Sequence, residues 1–310
     1  MTRATTRAIV ALTPNPALDR TLWLDRALEP GALHRVQRVR EAAGGKGVNL
    51  ARAVAALGGS PVVAGPVAGF NGRKFRALLQ REGIAGALTE VAGETRECTI
   101  VLGGAGHPTE INEAGPDVDE DAWRELLAAL PEGRLVVAGS LPPGIAPSAF
   151  GELLAALPDP LTVDAHGPAL VAALEAGAEL VKPNRRELGE VAQLLGLGPD
   201  GHDPLDTAVE LRRRYGVRVL ATLGEEGALL VAEQRWRAHA PRVEATNPIG
   251  SGDCLLGAFL WAEETGEPPE RALALAVAAG ADNARRGGGG TVDGEAVRSL
   301  ATAVRTERLA

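Results

Sequence analysis

Cys98 and Cys254 are the only cysteines in 310 residues and stand far apart, so neither a disulfide framework nor a cysteine zinc site is on offer. The five histidines, at 34, 107, 166, 202 and 239, show no HxxxH or HExxH spacing, which argues against a catalytic zinc. No stretch reaches the roughly 18 uninterrupted apolar residues of a spanning helix, and the start of the chain, with Arg3 and Arg7, has no apolar core ahead of a cleavage site. The expectation is a cytoplasmic protein without a membrane partner. Positive charge is also short: 32 basic against 40 acidic residues give a net charge of −8, the wrong sign for a protein held to nucleic acid through phosphates. Lysine is scarcest, at 46, 74 and 182 only, and two of these three fall inside motifs described below.

What is present is a globular composition, 45% hydrophobic and 23% charged, long enough for two small domains or one large α/β domain with an added piece. Short apolar runs recur at Ala8–Leu12, Pro61–Ala64, Leu135–Ala138, Leu161–Val163, Leu180–Val181 and Val217–Thr222. Helical apolar spacing fills Val48–Leu57, Arg73–Gln80, Asp121–Leu130, Ser148–Leu157, Arg186–Leu195 and Thr207–Tyr215. Strands alternating with helices imply βαβ units and a mainly parallel sheet covered on both faces. Two segments break the rhythm: Thr21–Arg40 and Arg96–Ile111 read as antiparallel hairpin-like pairs turning at Glu29–Gly31 and Gly103–Gly106, and together they are expected to form a small lid sheet. The C-terminal third reads as helical, with Ser251–Glu264 and Glu270–Arg285 closed by the glycines 287–290, a run that by itself indicates a flexible turn.

Chemistry concentrates at two glycine-rich helix starts. In Asn247-Pro-Ile-Gly-Ser-Gly-Asp253, Pro248, Gly250 and Gly252 break the chain before an apolar helix, leaving N–H groups free for an anion and Asp253 in the first turn, where the macrodipole favours its charged form. A carboxylate there can take a proton from a hydroxyl attacking a phosphoryl group; the same pattern also serves as an ordinary acidic helix start. In Ala43-Gly-Gly-Lys-Gly-Val-Asn49, glycines 44, 45 and 47 let backbone approach a ligand, Lys46 adds a cation and Asn49 an amide. It is not a Walker A loop, and the GxGxxG fingerprint fails at Leu50. Lys182-Pro-Asn-Arg-Arg-Glu187 follows a strand and has the form of a reciprocal cap, while Thr222-Leu-Gly-Glu-Glu-Gly227 is equally a hairpin turn.

Taken in order, these pieces resemble the ribokinase-like, or phosphofructokinase B type, sugar kinases. The resemblance runs from Thr13-Pro-Asn-Pro-Ala-Leu-Asp19 through Gly44 to Asn49, Gly93-Glu-Thr-Arg96, Thr109 to Pro116, Gly139-Ser-Leu-Pro-Pro-Gly144 and Lys182 to Glu187, ending at Gly250 to Asp253. The opening motif, Lys46 and the NEAGP segment look like the subgroup acting on sugar phosphates, which contains 1-phosphofructokinase and tagatose-6-phosphate kinase. The resemblance implies one αβα sandwich over 1–310 with a lid from about 13–42 and 92–114, ATP with Mg2+ as donor, and a homodimer through the lids. It implies Asp253 as base with Gly250, Ser251 and Gly252 as anion hole, and Asp19, Gly44, Gly45, Lys46, Asn49, Arg96 and Ser140 on the acceptor side. It further implies Lys182, Asn184, Glu187, Thr222, Gly224 and Gly227 on the nucleotide side, with Glu187 near magnesium through water. Asp164-Ala-His-Gly167 departs from the family's common Asp-Thr-Ser-Gly, so His166 has no assigned role.

Two cations beside one pocket, Lys46 and Arg96, favour an acceptor already carrying phosphate, fructose 1-phosphate foremost. Tagatose 6-phosphate, fructose 6-phosphate, and an unphosphorylated sugar or nucleoside are the alternative acceptors for a kinase. Outside that class stand a sugar-phosphate or nucleotide sensor, which the presence of Asp253 disfavours, and a dehydrogenase, which the failed fingerprint disfavours.

Overall fold

The segment Ile9–Leu12 is buried along its whole length, and its side chains alternate between two cores: Ile9 and Ala11 pack on one side, Val10 and Leu12 on the other. A strand apolar on both faces needs a helical layer over each. The computed structural model, which describes residues 7–104, 108–157, 161–197 and 203–310, supplies them.

In chain order the strands are β1 (Ile9–Leu12), β2 (Ala17–Leu24), β3 (Val36–Gly44), β4 (Pro61–Ala68), β5 (Ala85–Val91), β6 (Arg96–Gly103), β7 (Thr109–Asn112), β8 (Arg134–Ala138), β9 (Thr162–Asp164), β10 (Leu180–Val181), β11 (Arg218–Thr222), β12 (Ala228–Val231), β13 (Arg235–Ala238) and β14 (Thr306–Leu309). The helices are α1 (Lys46–Ala56), α2 (Gly69–Arg81), α3 (Glu120–Ala128), α4 (Pro147–Ala155), α5 (Gly167–Glu175), α6 (Arg185–Leu194), α7 (Pro204–Tyr215), α8 (Ser251–Glu264), α9 (Pro269–Ala284) and α10 (Gly294–Ala301). A ten-stranded sheet runs β14-β13-β12-β11-β10-β9-β8-β1-β4-β5, parallel from β11 to β5 and antiparallel from β11 to β14. Helices α1, α2, α8, α9 and α10 pack into one core with Phe75, Phe259 and Leu256, while α3 to α7 pack into the other with Trp123, Phe150 and Leu170. The expected three-layer α/β sandwich is therefore observed.

Each apolar run read from the sequence lies in the large sheet. The expectation of a helical C-terminal third holds for α8 and α9 but is corrected on either side of them. Strands β12 and β13 precede them, and α10 with the edge strand β14 carries the chain beyond the glycines.

The two hairpin-like segments form a second sheet of four strands in the order β3-β2-β6-β7. Each pair is antiparallel as expected, but the pairs join through a parallel contact between β2 and β6, which sets Asp19 beside Cys98. The first turn is closed by the Ala32 N–H donating to the Glu29 carbonyl at 3.2 Å, with Gly31 at φ 81°. The turn expected at Gly103–Gly106 lies partly outside the described residues. Among the described residues no helix is long and apolar enough to cross a membrane.

Candidate active site

In an open parallel sheet, ligands bind beyond the carboxyl ends of the strands, where the strand order reverses. Here β1 has β4 on one side and β8 on the other. Thr13 follows β1, Ser140 follows β8, Lys182 follows β10 and Thr222 ends β11, and all four line one cleft of about 490 Å³. The small sheet supplies its other wall through Asp19, Arg96, Ile100, Glu110 and Asn112. A larger cavity, about 830 Å³, lies toward the other ends of the strands. Its arginines and glutamates pair with each other, Arg134 and Arg218 both reaching Glu263, so it reads as an ion-pair mesh that ties α8 to the sheet.

At the start of α8, Gly250 adopts φ 80°, which the tight entry into the helix requires. The Ser251 N–H donates to the Pro248 carbonyl at 3.1 Å and the Cys254 N–H to the Gly250 carbonyl at 2.9 Å, so the first turn leaves the N–H groups of Gly252 and Asp253 for a ligand. The expectation for Ser251 is corrected. Its hydroxyl accepts from Asn283 Nδ2 at 3.0 Å, and it does not line the cleft, although Gly250, Gly252 and Asp253 do.

Asp253 is buried, and its electrostatics reverse the simple helix-start expectation. Burial pushes its carboxyl up and the nearby Asp164 carboxylate adds to this, opposed by Lys46, Lys182 and a hydrogen bond from Asn49. Its proton affinity is set by that balance, not by the helix dipole alone.

The centre of the balance is Asp164, to which sequence reasoning gave no role. It is fully buried at the end of β9, with Lys46 Nζ 2.9 Å from Oδ1 and Lys182 Nζ 3.2 Å from Oδ2. Burial works against its charge, but Lys182 and Lys46 outweigh it and hold the carboxyl below its usual range. For Lys46 burial is likewise outweighed, by Asp164, Asp253 and Glu187, so the ammonium stays charged. Asp164 thus couples the glycine loop to the Lys182 strand end, and Lys182 in turn lies against Gly252. The signal that could have found it is its place at a strand's carboxyl end.

Of the residues expected on the acceptor side, Asp19, Gly45, Lys46, Asn49, Arg96 and Ser140 line the cleft. Gly44 lies behind it, under the Asp19 carboxylate, with no room for a Cβ between them. Burial raises the Asp19 pKa to about 6 against the pull of Arg52 and Arg96. Two expectations change here. Arg96 is not a free cation: Nε and Nη2 donate to the Asn15 carbonyl at 3.2 and 2.8 Å and Nη1 to the Glu113 carbonyl at 3.1 Å, leaving one donor on each Nη. Asn49 is not a free amide, since Nδ2 donates to Asp253 Oδ2 at 3.0 Å. Gly290, read as part of a flexible turn, packs on Asn49 closely enough to exclude any side chain of its own. His166 lines the cleft, its carbonyl accepting from the Leu170 N–H at 3.4 Å while its ring has no hydrogen-bond partner among the described residues.

On the nucleotide side, Asn184 and Glu187 form the reciprocal cap of α6, each side chain accepting from the other's N–H at 2.9 Å. Asn184 also bridges to Thr222, which joins the two chain segments. Lys182, Asn184, Glu187 and Thr222 line the cleft. Gly224 and Gly227 do not; they turn the chain from β11 into β12, with Gly227 pressed on Ala238. Among the described residues no group of three or more His, Cys, Asp or Glu side chains could hold a metal. Glu187 uses Oε2 for the cap and keeps Oε1, 3.9 Å from the exposed Arg186 Nη2, as an oxygen that could take a hydrogen bond from a magnesium-bound water.

The family model of the pfkB family carbohydrate kinases matches residues 12–294. A 1-phosphofructokinase of Haloferax volcanii is 36% identical over 274 residues, covering 87% of this chain and 88% of the relative. The crystal structure of phosphofructokinase-2 from Escherichia coli in complex with fructose-6-phosphate superposes with a TM-score of 0.86 at 30% identity, over 96% of this chain and 99% of that one. The tetrameric inhibited form of the same enzyme matches at 0.86 and 29%, with the same coverage.

Proposed function

This chain belongs to the pfkB family of carbohydrate kinases, and on that footing we propose that it transfers the γ-phosphoryl group of ATP to the 6-hydroxyl of fructose 1-phosphate. The products are fructose 1,6-bisphosphate, ADP and one proton. The observation that carries the choice of acceptor is the pair of cationic side chains, Lys46 and Arg96, on the wall of the cleft where Asp19 and Asn49 also lie. Both also serve the fold, Lys46 on Asp164 and Arg96 on the Asn15 and Glu113 carbonyls, but a phosphate on the acceptor would use the charge and the two N–H donors that these contacts leave.

In this reading Asp253 accepts the hydroxyl proton as the oxygen attacks, and the Gly252 and Asp253 N–H groups meet the charge on the moving phosphoryl group. Lys182 stands beside Gly252 and adds positive charge there. Bound magnesium would neutralise the ATP phosphates, and Glu187 is the residue to hold its water. Thr222 and Asn184 line the nucleotide half. The strands β2, β6 and β7 cover the acceptor half, so the small sheet acts as the lid that excludes water, within a single kinase domain over 1–310. Val36, Val39 and Ile111 are exposed apolar residues on that sheet, which supports a two-fold dimer formed through it. The proposed compartment is the cytoplasm, with which two free, buried cysteines accord.

The test is an ADP-release assay of the purified protein against fructose 1-phosphate, fructose 6-phosphate, tagatose 6-phosphate, fructose and ribose. The highest kcat/KM is expected with fructose 1-phosphate. A higher value for either 6-phosphate would move the assignment within the class, and one for fructose or ribose would remove the role given to the two cations.

A further inference from the structure

The amide of Asn49 has two possible orientations, and only one suits a base at Asp253. With Nδ2 facing the carboxylate, the amide donates a hydrogen bond and favours the ionised form. Turned over, it would present its oxygen to the carboxylate, and the contact would be tolerable only with Asp253 protonated. What decides between the two lies outside the cleft. Arg52 Nη1 donates to Asn49 Oδ1 at 3.1 Å, and a guanidinium has only donors, so the amide oxygen must face Arg52 and the amide nitrogen must face Asp253.

Arg52 is itself held on two further sides. Nε and Nη2 donate to Glu82 at 2.5 and 2.8 Å, a bidentate pair with the end of α2, and Nη2 also reaches the Ala43 carbonyl at 2.6 Å. The guanidinium is largely buried and cannot swing away without breaking these bonds. Its charge also opposes the burial that raises Asp19. One side chain outside the cleft lining thus acts on two acids of the cleft, on Asp253 through the Asn49 amide and on Asp19 through its charge.

We infer that Arg52, anchored by Glu82, is a positioning residue that locks the Asn49 amide in the orientation that keeps Asp253 a proton acceptor. The inference rests on the reading of Asp253 as base. Asn49 also packs between Gly250 and Gly290, where an added Cβ would press on the amide from either side. Two kinds of influence therefore bear on Asp253. Lys46, Lys182 and Asp164 act through their charge, whereas Arg52 acts through the direction of a dipole.

The test compares Arg52→Met, Arg52→Lys and Glu82→Gln with the wild type, reading kcat, both KM values and the pH profile of kcat with fructose 1-phosphate and ATP. Arg52→Met should lower kcat on the acid limb by up to about tenfold, the most that a one-unit shift allows, and keep KM for ATP within about threefold. The acid limb of its profile should move up by about one pH unit, the consequence of losing one charge-directed hydrogen bond. Arg52→Lys, which keeps one donor toward Asn49, should recover part of the shift. Should Arg52→Met fail to fold, Glu82→Gln carries the test, with a smaller shift of the same sign. A loss of kcat that is the same fraction at every pH, or no loss, overturns the inference. A crystal structure of Arg52→Met gives a readout independent of turnover: Asn49 reoriented away from its 3.0 Å bond to Asp253 is expected, and an unchanged bond overturns it. If the wild type transfers no phosphoryl group, the proposed activity fails, and the lock is then judged on that bond alone.

Discussion

Replacing Asp164 by Asn keeps the volume of the side chain and removes the one negative charge shared by Lys46 and Lys182. Stripping a buried ion pair of one partner costs about 3–5 kcal/mol. Lys182 is almost wholly buried here, but Lys46 keeps 30% of its side chain exposed, so water relieves part of the loss and the lower end, about 3 kcal/mol, applies. That is a large share of a typical native stability of about 5–15 kcal/mol. Because the Asp164 carboxyl is held below its usual range in the folded chain, its contribution is fully present above the unfolded value, near 4, and is lost as pH falls through the folded one. Urea unfolding should therefore separate wild type and variant by about 3 kcal/mol between pH 6 and 8, with the gap narrowing in acid. A second effect has the opposite sign to that of Arg52: since Asp164 raises Asp253, its neutralisation should move the acid limb of kcat to lower pH. Equal unfolding free energies at pH 7 would refute the shared-carboxylate account, and an acid limb that moved upward would refute the electrostatic coupling.

Gly290→Ala should cut kcat by at least about tenfold, because a Cβ there would displace Asn49; wild-type turnover in steady-state kinetics would show that the loop yields freely. The carboxyl of Asp19 is raised to about 6, so it favours the folded state below the unfolded value near 4, and that contribution fades as pH rises through 6. Binding of acceptor hydroxyls by the carboxylate has the opposite trend, and KM for fructose 1-phosphate should fall between pH 5 and 7; a flat KM in Asp19→Asn and wild type alike would remove Asp19 from the acceptor site. Sedimentation at micromolar concentration should give a dimer, and Val39→Glu on the small sheet should yield monomers; a fully active monomeric wild type contradicts the lid interface.

The legible parts of the fold were those whose local pattern and tertiary setting agree. The buried strands β1, β8 and β11 are short apolar runs because both faces are covered, and α8 begins where Pro248 and Gly250 force the break. Helix α5 escaped notice because Ala169 to Leu174 is apolar all round and has no polar face to give a period. Strand β12 is itself a buried apolar run after a glycine turn and was legible but passed over, whereas β13 and β14, Arg235–Ala238 and Thr306–Leu309, are defined by pairing with their neighbours, which no local pattern announces. The same division holds in the site. Asp253, Lys46 and Glu187 were visible because glycine turns and a capping box mark them. Asp164, Arg52 and Gly290 were not, because their importance comes from contacts with residues distant in the chain.

The account turns on Asp253 as the group that accepts the proton, and single-turnover kinetics of Asp253→Asn test it most directly. The substitution keeps the shape of the side chain and removes its ability to take a proton at neutral pH. With enzyme in excess over ATP and saturating fructose 1-phosphate, the rate of bisphosphate formation should fall by at least about 10²-fold, the lower end of what a positioned base contributes. ATP affinity should stay within about threefold, since the nucleotide is proposed to lie against Lys182, Asn184 and Thr222 of the cleft. A variant that retains more than about a tenth of the wild-type single-turnover rate would contradict the account and leave Asp253 as an acidic residue at a helix start.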